Sequence, residues 1–177
     1  IIFFFLGICL FSVYVSSIRY QAKKHIANAI YYKEKGNWNY VIQAIDKSYN
    51  KTFYNIEKNS IPLLWYRGIA YFNQQKYTLA LKDFKDAYKV NPYNIHVLNN
   101  LATSFQIQGD SPRAKKYYMD ALSFNSTFKE SRINLAAILY NEKQYIEALD
   151  IILRSKVESY SKRKKNNFQD NIAYRLL

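Results

Sequence analysis

Ile1 to Ile18 is continuously apolar, broken only by Gly7 and three serines, and carries no charge. From residue 19 onward the pattern changes. Apolar and small residues recur every three to four positions with polar ones between them, the spacing of helices that bury one face. The pattern is clearest from Ile61 to Phe128, where it is written twice. Gly68, Tyr71, Tyr77, Ala80, Phe84, Ala87 and Pro92 form one copy. Ala102, Phe105, Ser111, Ala114, Tyr118, Ala121 and Ser126 form the next, 34 positions later. Ala136, Leu139, Tyr145, Ala148, Ile152 and Ser155 continue at the same offset. A constant period of this length predicts a two-helix repeat.

The residue types say why the helices pair. Gly68, Ala102 and Ala136 fall midway along the first helix of each unit, and Ala80, Ala114 and Ala148 open the second. Large residues, Phe84, Tyr118 and Ile152, follow four positions after those alanines. Small against large lets two helices interdigitate at a short axial distance. Gly109-Asp110 breaks one pair, and Gln74-Gln75-Lys76 and Glu142-Lys143-Gln144 hold the same place in the neighbours. Asn91-Pro92 ends a second helix, because the proline ring disfavours a helical residue before it. Ser126 and Tyr160 stand where the other units would have that proline, which predicts softer exits there.

These residues resemble the tetratricopeptide repeat (TPR) family. Residues 61–94 carry the family pattern as Leu64, Arg67-Gly68, Tyr71, Ala80, Phe84, Ala87 and Pro92. Residues 95–128 carry it as Leu98, Leu101-Ala102, Phe105, Ala114, Tyr118 and Ala121, and residues 129–162 carry Leu135-Ala136, Leu139, Tyr145 and Ala148 and then drift. The resemblance implies an all-α helix-turn-helix solenoid, a right-handed superhelix. Arg67 departs from it by occupying an apolar position, so its stem is expected to lie along the helix with the guanidinium reaching out. Residues 19–60 read as a basic juxtamembrane segment and a degenerate first repeat. Ala29, Tyr32, Gly36, Trp38, Val41, Ile45 and Ser48 stand for the later positions, and Tyr49 to Ser60 reads as a longer helix end plus loop. Residues 163–177 read as a basic loop followed by the first helix of a further repeat or a cap.

Eighteen helical residues span about 27 Å, against a hydrocarbon core of about 30 Å. Residues 1–18 therefore read as a transmembrane helix, with Tyr14 and Tyr20 near the interface. A cleaved signal is the rival, since Val15-Ser16-Ser17 has small-residue cleavage spacing. Arg19, Lys23 and Lys24 follow at once and predict that the repeats face the cytoplasm. A periplasmic repeat protein is the alternative, after signal cleavage. A weaker resemblance points to bacterial O-antigen ligase or polymerase-type membrane proteins, whose C-terminal part it covers. Arg19-Tyr20, Trp65-Tyr66-Arg67-Gly68 and Asn91-Pro92-Tyr93 carry it, and it implies a regulatory or assembly tail.

Composition narrows the chemistry. Lys plus Arg number 26 against 13 acids, a net charge of +13, but the excess is scattered apart from Lys162 to Lys165. Scattered charge on helices ranks nucleic acid well below protein as a partner. Four glycines and three prolines argue against a turn-rich sheet protein. Cys9 is the only cysteine, so no internal disulfide or cysteine-based metal site is available. His25 and His96 fall in different repeats, and the pairs Asp83/Asp86 and Glu142/Glu147 read as solvated surface charges. No catalytic constellation, cofactor motif or metal-ligand spacing stands out, which argues against an enzyme.

A binding surface is the better reading. The family resemblance implies a concave groove lined by the first helix of each unit, holding an extended peptide or a partner helix. The positions that match are Trp65, Tyr66, Ile69, Phe72 and Asn73, then His96, Asn99, Asn100, Thr103 and Gln106. Glu130, Ile133, Asn134, Ala137, Tyr140 and Asn141 complete the set. The strongest candidates are Trp65, Tyr66, Phe72, Asn99, Asn100, Thr103, Asn134 and Tyr140. Asparagine amides can pair with an extended backbone, and tryptophan and tyrosine are common anchors. The basic clamp of the family's chaperone-tail binders is not evident among these positions. The expected role is a membrane-tethered scaffold for protein–protein interaction.

Overall fold

The computed structural model describes residues 2–153, which fold into helices joined by turns and loops. They are α1 (Ile2–Glu34), α2 (Trp38–Ser48), α3 (Leu63–Asn73), α4 (Tyr77–Val90), α5 (Ile95–Ile107), α6 (Ser111–Phe124) and α7 (Lys129–Asn141). A further helix, α8, begins at residue 145 and is described to residue 153. The basic run at 162–165 and the helix expected within 168–177 lie outside the described residues. The fold is all-α and of the helix-turn-helix solenoid class. The chain divides into two compact units, Ile1–Asn100 and Leu101–Leu177, with the boundary inside α5.

In the first unit α1 packs on α2, α2 on α3, and α3 on α4. One buried cluster holds Ile26 and Ala29 of α1, Val41, Ala44 and Ile45 of α2, and Leu63, Tyr66 and Ala70 of α3. A second joins Leu64, Ala87 and Val97. Gly68 faces Phe84 so closely that a Cβ would stand 2.6 Å from the ring. This is the small-against-large contact that the repeat pattern implies. In the second unit Ala114, Tyr118 and Ala121 are the buried face of α6. Helix α7 packs on α6 with Leu135, Ala136 and Ile138 turned inward.

The turns inside the pairs share one geometry. Gly36, Gln75, Gly109 and Lys143 all have positive φ, between 60° and 77°. At each, the residue's N–H returns to a carbonyl three back, and the next N–H returns five back: Gln75 to Phe72 and Lys76 to Tyr71, Gly109 to Gln106 and Asp110 to Phe105. Lys143 to Tyr140 and Gln144 to Leu139 repeat it. This is the left-handed helix stop that satisfies otherwise orphaned carbonyls. Glycine adopts it freely, whereas Gln75 and Lys143 adopt it at a cost. The connections between pairs are equally regular. Asn91 and Asn125 end their helices with nearly the same backbone, φ −143° ψ 92° and φ −144° ψ 94°. Each asparagine Oδ1 accepts an N–H two residues on, from Tyr93 and from Thr127. The exit at Ser126 therefore needs no proline, because the asparagine builds the turn.

Three expectations are corrected. Helix α2 stops at Ser48, so residues 49–60 are not a longer helix end. They fold as a compact loop closed by isolated bridges at Asn50–Tyr54 and Ile56–Pro62. Asn50 Oδ1 accepts from the N–H groups of Thr52 and Phe53, which tightens the first turn. Second, Arg67 does not reach out to solvent. Its Nε and Nη2 donate to the two oxygens of Asp83 at 2.7 and 2.8 Å, and Nη1 donates to Asp46. Third, Asp83 is not a solvated charge, since only 2% of it is exposed. The arginine ties α2, α3 and α4 together, and its two carboxylate partners hold it protonated.

The apolar start of α1 has no such cover. Phe3, Phe4, Phe5, Leu6, Ile8, Leu10, Phe11, Val13 and Tyr14 are all 50–89% exposed. The same helix runs without a break into the buried positions Ala22, Ile26 and Ala29. By length and composition α1 can cross a membrane. At 33 residues it is about 50 Å long, enough for a span and a repeat helix in one element.

Candidate functional site

The candidate residues of the first unit come from α3 and the start of α5. Leu63, Leu64, Gly68 and Ala70 anchor α3 in the core, which leaves Trp65, Ile69 and Phe72 partly exposed beside them. The Trp65 indole N–H donates to Asn100 Oδ1 at 2.9 Å. The His96 ring lies 5.8 Å from the indole, tilted to it. Phe72 meets Tyr77 edge to face at 5.4 Å. Asn99 is half-buried, and exposed Asn73 donates to the Ile69 carbonyl of its own helix. The α5 N-terminus is fixed by Asn94, whose Oδ1 accepts from the N–H groups of His96 and Val97. The surface therefore offers one oriented indole, an imidazole and two amides on rigid helices. Trp65 is also a packing residue, since its ring touches both buried clusters.

Tyr66 is withdrawn from this surface. It is 4% exposed and belongs to the buried cluster with Ile26, Ala29 and Ile45. Its hydroxyl donates to Glu57 Oε1 at 3.4 Å, in the loop before α3. Burial and the neighbouring carboxylate push its pKa well up, so the phenol stays neutral.

In the second unit the polar candidates converge on one buried group. The Thr103 hydroxyl lies 2.9 Å from Tyr118 Oη, and Tyr118 donates to Gln106 Oε1 at 2.8 Å. Asn134 bonds to the same phenol. Burial pushes the Tyr118 pKa up, and the bonds from Thr103 and Asn134 partly offset this. A buried phenol needs partners, and these side chains supply them. Phe84 stands at the matching place in the first unit and has no such need. Tyr140 is 64% exposed and meets Tyr145 edge to face at 5.1 Å. Ile133, Ala137 and Asn141 are exposed, and Lys115 reaches from α6 to Glu142 at 2.6 Å. Among the described residues no three His, Cys, Asp or Glu side chains gather as a metal site would.

Helix pairs stopped by left-handed turns, spaced 34 residues apart from Gln75 to Gly109 to Lys143, define a helical-repeat scaffold. Residues 62–94 match the family description "Tetratricopeptide repeat". That stretch is a tetratricopeptide repeat, and the helix pairs on either side resemble it. Over 84 residues, 48% of this chain, it is 29% identical to Hsp70-Hsp90 organizing protein 1 of Glycine max. Over the same length it is 27% identical to the Hsp70-Hsp90 organizing protein of Triticum aestivum. The matched stretch makes up only 15% and 14% of those two proteins. Among solved structures, MamA aligns over 85% of this chain and 81% of its own, with TM-score 0.64 and 15% identity. The first TPR of Spaghetti (RPAP3), bound to the HSP90 peptide SRMEEVD, aligns over 71% of this chain and 95% of its own. There the TM-score is 0.60 and the identity 19%. At such identities the structural likeness speaks to the fold. The chain has the fold of a TPR-type helical-repeat scaffold.

Proposed function

We propose that this chain is a membrane-tethered scaffold that offers the α3–α5 surface of its first unit to an extended peptide. The observation that carries the tether is the continuity of α1. Its first part is apolar and uncovered, and its last part is built into the repeat core without a break. Burying nine large apolar side chains in lipid is strongly favourable, at roughly 1.5–3 kcal/mol for each one fully buried. In water they would form an exposed apolar stripe that soluble chains avoid. Arg19, Lys23 and Lys24 favour the cytoplasmic side for the repeats.

The peptide reading rests on Trp65 and its neighbours. The RPAP3 domain holds the peptide SRMEEVD, which carries three acidic residues in its last four. The surface here presents an indole, an imidazole and amides, which suits a neutral backbone with an apolar or aromatic anchor. The second unit offers its own candidates, Thr103, Asn134 and Tyr140. There Tyr140 is the exposed ring, while Thr103 and Asn134 serve Tyr118 first.

The full chain is expressed with its apolar segment, and membranes are washed with alkaline carbonate. Retention in the pellet is expected, as is protection of a cysteine placed at Lys58 from an impermeant thiol reagent in intact cells. Release into the wash, or a mature chain starting near Ile18, would replace the tether with a cleaved signal. The retained protein in nanodiscs is then screened against a displayed peptide library. A selected motif lost in Trp65→Phe with His96→Ala supports the surface. Equal selection by both proteins would contradict it.

A further inference from the structure

The loop at 49–62 does more than connect α2 to α3. Its tip carries Phe53, whose ring meets Phe11 at 6.0 Å and Tyr14 at 6.3 Å, both on the apolar part of α1. The loop thus turns back toward the end of the helix that the tether reading places in lipid. Between the loop and α1 lies a cleft of about 450 Å³, lined by Arg19 and Lys23 on one side and Phe53, Tyr54 and Lys58 on the other. Arg19 and Lys23 are four residues apart and share a helix face. Among the described residues none of the three cations forms an ion pair. Glu57, the one carboxylate on the cleft, is 6% exposed and accepts from the Tyr66 hydroxyl.

Position along α1 decides what fits. Arg19 is five residues beyond Tyr14, about 7.5 Å along the axis. The headgroup layer on each face of a bilayer is about 5–8 Å deep. Phe53 therefore falls at the level of the upper acyl chains when the cations fall at the level of the phosphates. An aromatic ring at the apolar edge with basic side chains just outside it is the arrangement that the interface favours.

We propose that this cleft is a headgroup site for an anionic phospholipid, with Arg19, Lys23 and Lys58 on the phosphate and Phe53 seated beside the acyl chains. The proposal rests on the tether reading. The lipid would lock the loop against α1 and so set the orientation of the first unit at the membrane surface.

The test uses the full chain in phosphatidylcholine nanodiscs with trace spin-labelled phosphatidylglycerol or spin-labelled phosphatidylcholine. The immobilised fraction reports which lipid the protein holds. A preference for phosphatidylglycerol is expected, falling about fivefold for each cation removed in Arg19→Gln, Lys23→Gln and Lys58→Gln. A charge-matched variant, Lys24→Gln with Lys35→Gln and Lys47→Gln, is expected to keep most of it. Equal loss in both variants would mean general surface charge and would overturn the site while leaving the tether intact. Saturable binding of inorganic phosphate without lipid preference would also overturn it. Failure of the wild-type chain to enter nanodiscs would remove both the tether and the site.

Discussion

Residues 3–14 and residues 22–34 belong to one helix and differ in how their side chains are covered. In the first stretch every large side chain is apolar and at least half exposed. In the second, Ala22, Ile26 and Ala29 are buried and the residues between them are largely polar or exposed. Backbone geometry is the same in both, so the difference lies wholly in which side chains need cover. A helix propagates through its own hydrogen bonds and does not register the change of surroundings. If the proposed tether holds, helix continuity, more than any special junction, couples the span to the repeat domain. It follows that the two regions should fail independently. A change in the repeat body should lower its stability without releasing the chain from membranes, and a change in the span should do the reverse.

The largest effect is expected at Arg67. Arg67→Ala leaves the Asp83 carboxylate buried beside nothing of opposite charge. It should cost about 3–4 kcal/mol in denaturant unfolding of the detergent-solubilised chain. Carbonate resistance should not change. Leu10→Lys is the mirror case. A lysine near the middle of the span should weaken insertion by about 3 kcal/mol, read as the fraction retained in membranes. The unfolding midpoint of the repeats should stay where it was. Loss of both properties from either change would break the comparison.

Smaller effects sharpen the repeat side. Gly68→Ala puts a Cβ 2.6 Å from the Phe84 ring and should destabilise by about 2 kcal/mol. Adding Phe84→Leu should return part of that loss, because the clash is with the aromatic ring. The smallest change is a gain. Gln75→Gly relieves a left-handed backbone at φ 60° and should stabilise by about 1 kcal/mol. Lys143→Gly should do the same, while replacing Gly36 or Gly109 by alanine should have the opposite sign. Thermal unfolding of the four variants checks this directly.

The repeat pairs were legible because their physics is local and periodic. Gly68, Ala102 and Ala136 recur where helices approach, and the four turn positions recur with them. What the pattern missed are contacts made by parts that break the period. Tyr66 looked like a groove residue from its place in the repeat. The 49–62 connection brings Glu57 to its hydroxyl, and nothing in the repeat spacing says where that loop will fold. By sequence alone Arg67 and Asp83 each read as surface charges. Both sit among apolar positions on facing helices, and that shared oddity was a usable sign of pairing. Asn134 reads by sequence as a groove residue, and the structure adds its bond to the buried Tyr118 phenol, which the repeat spacing does not announce. The exposed apolar start of α1 was legible outright, because no polar stripe interrupts it.

The most direct test of the account is a cysteine scan along α1 in reconstituted vesicles, in a Cys9→Ser background. Each single cysteine from residue 4 to residue 32 is challenged with a membrane-impermeant maleimide. The account predicts no labelling from 4 to 16. Beyond residue 19 it predicts helical periodicity, with exposed positions such as 24, 28 and 31 labelled and 22, 26 and 29 protected. Labelling throughout 4 to 16, or periodicity that loses register between the two stretches, would contradict a single helix shared by membrane and repeat.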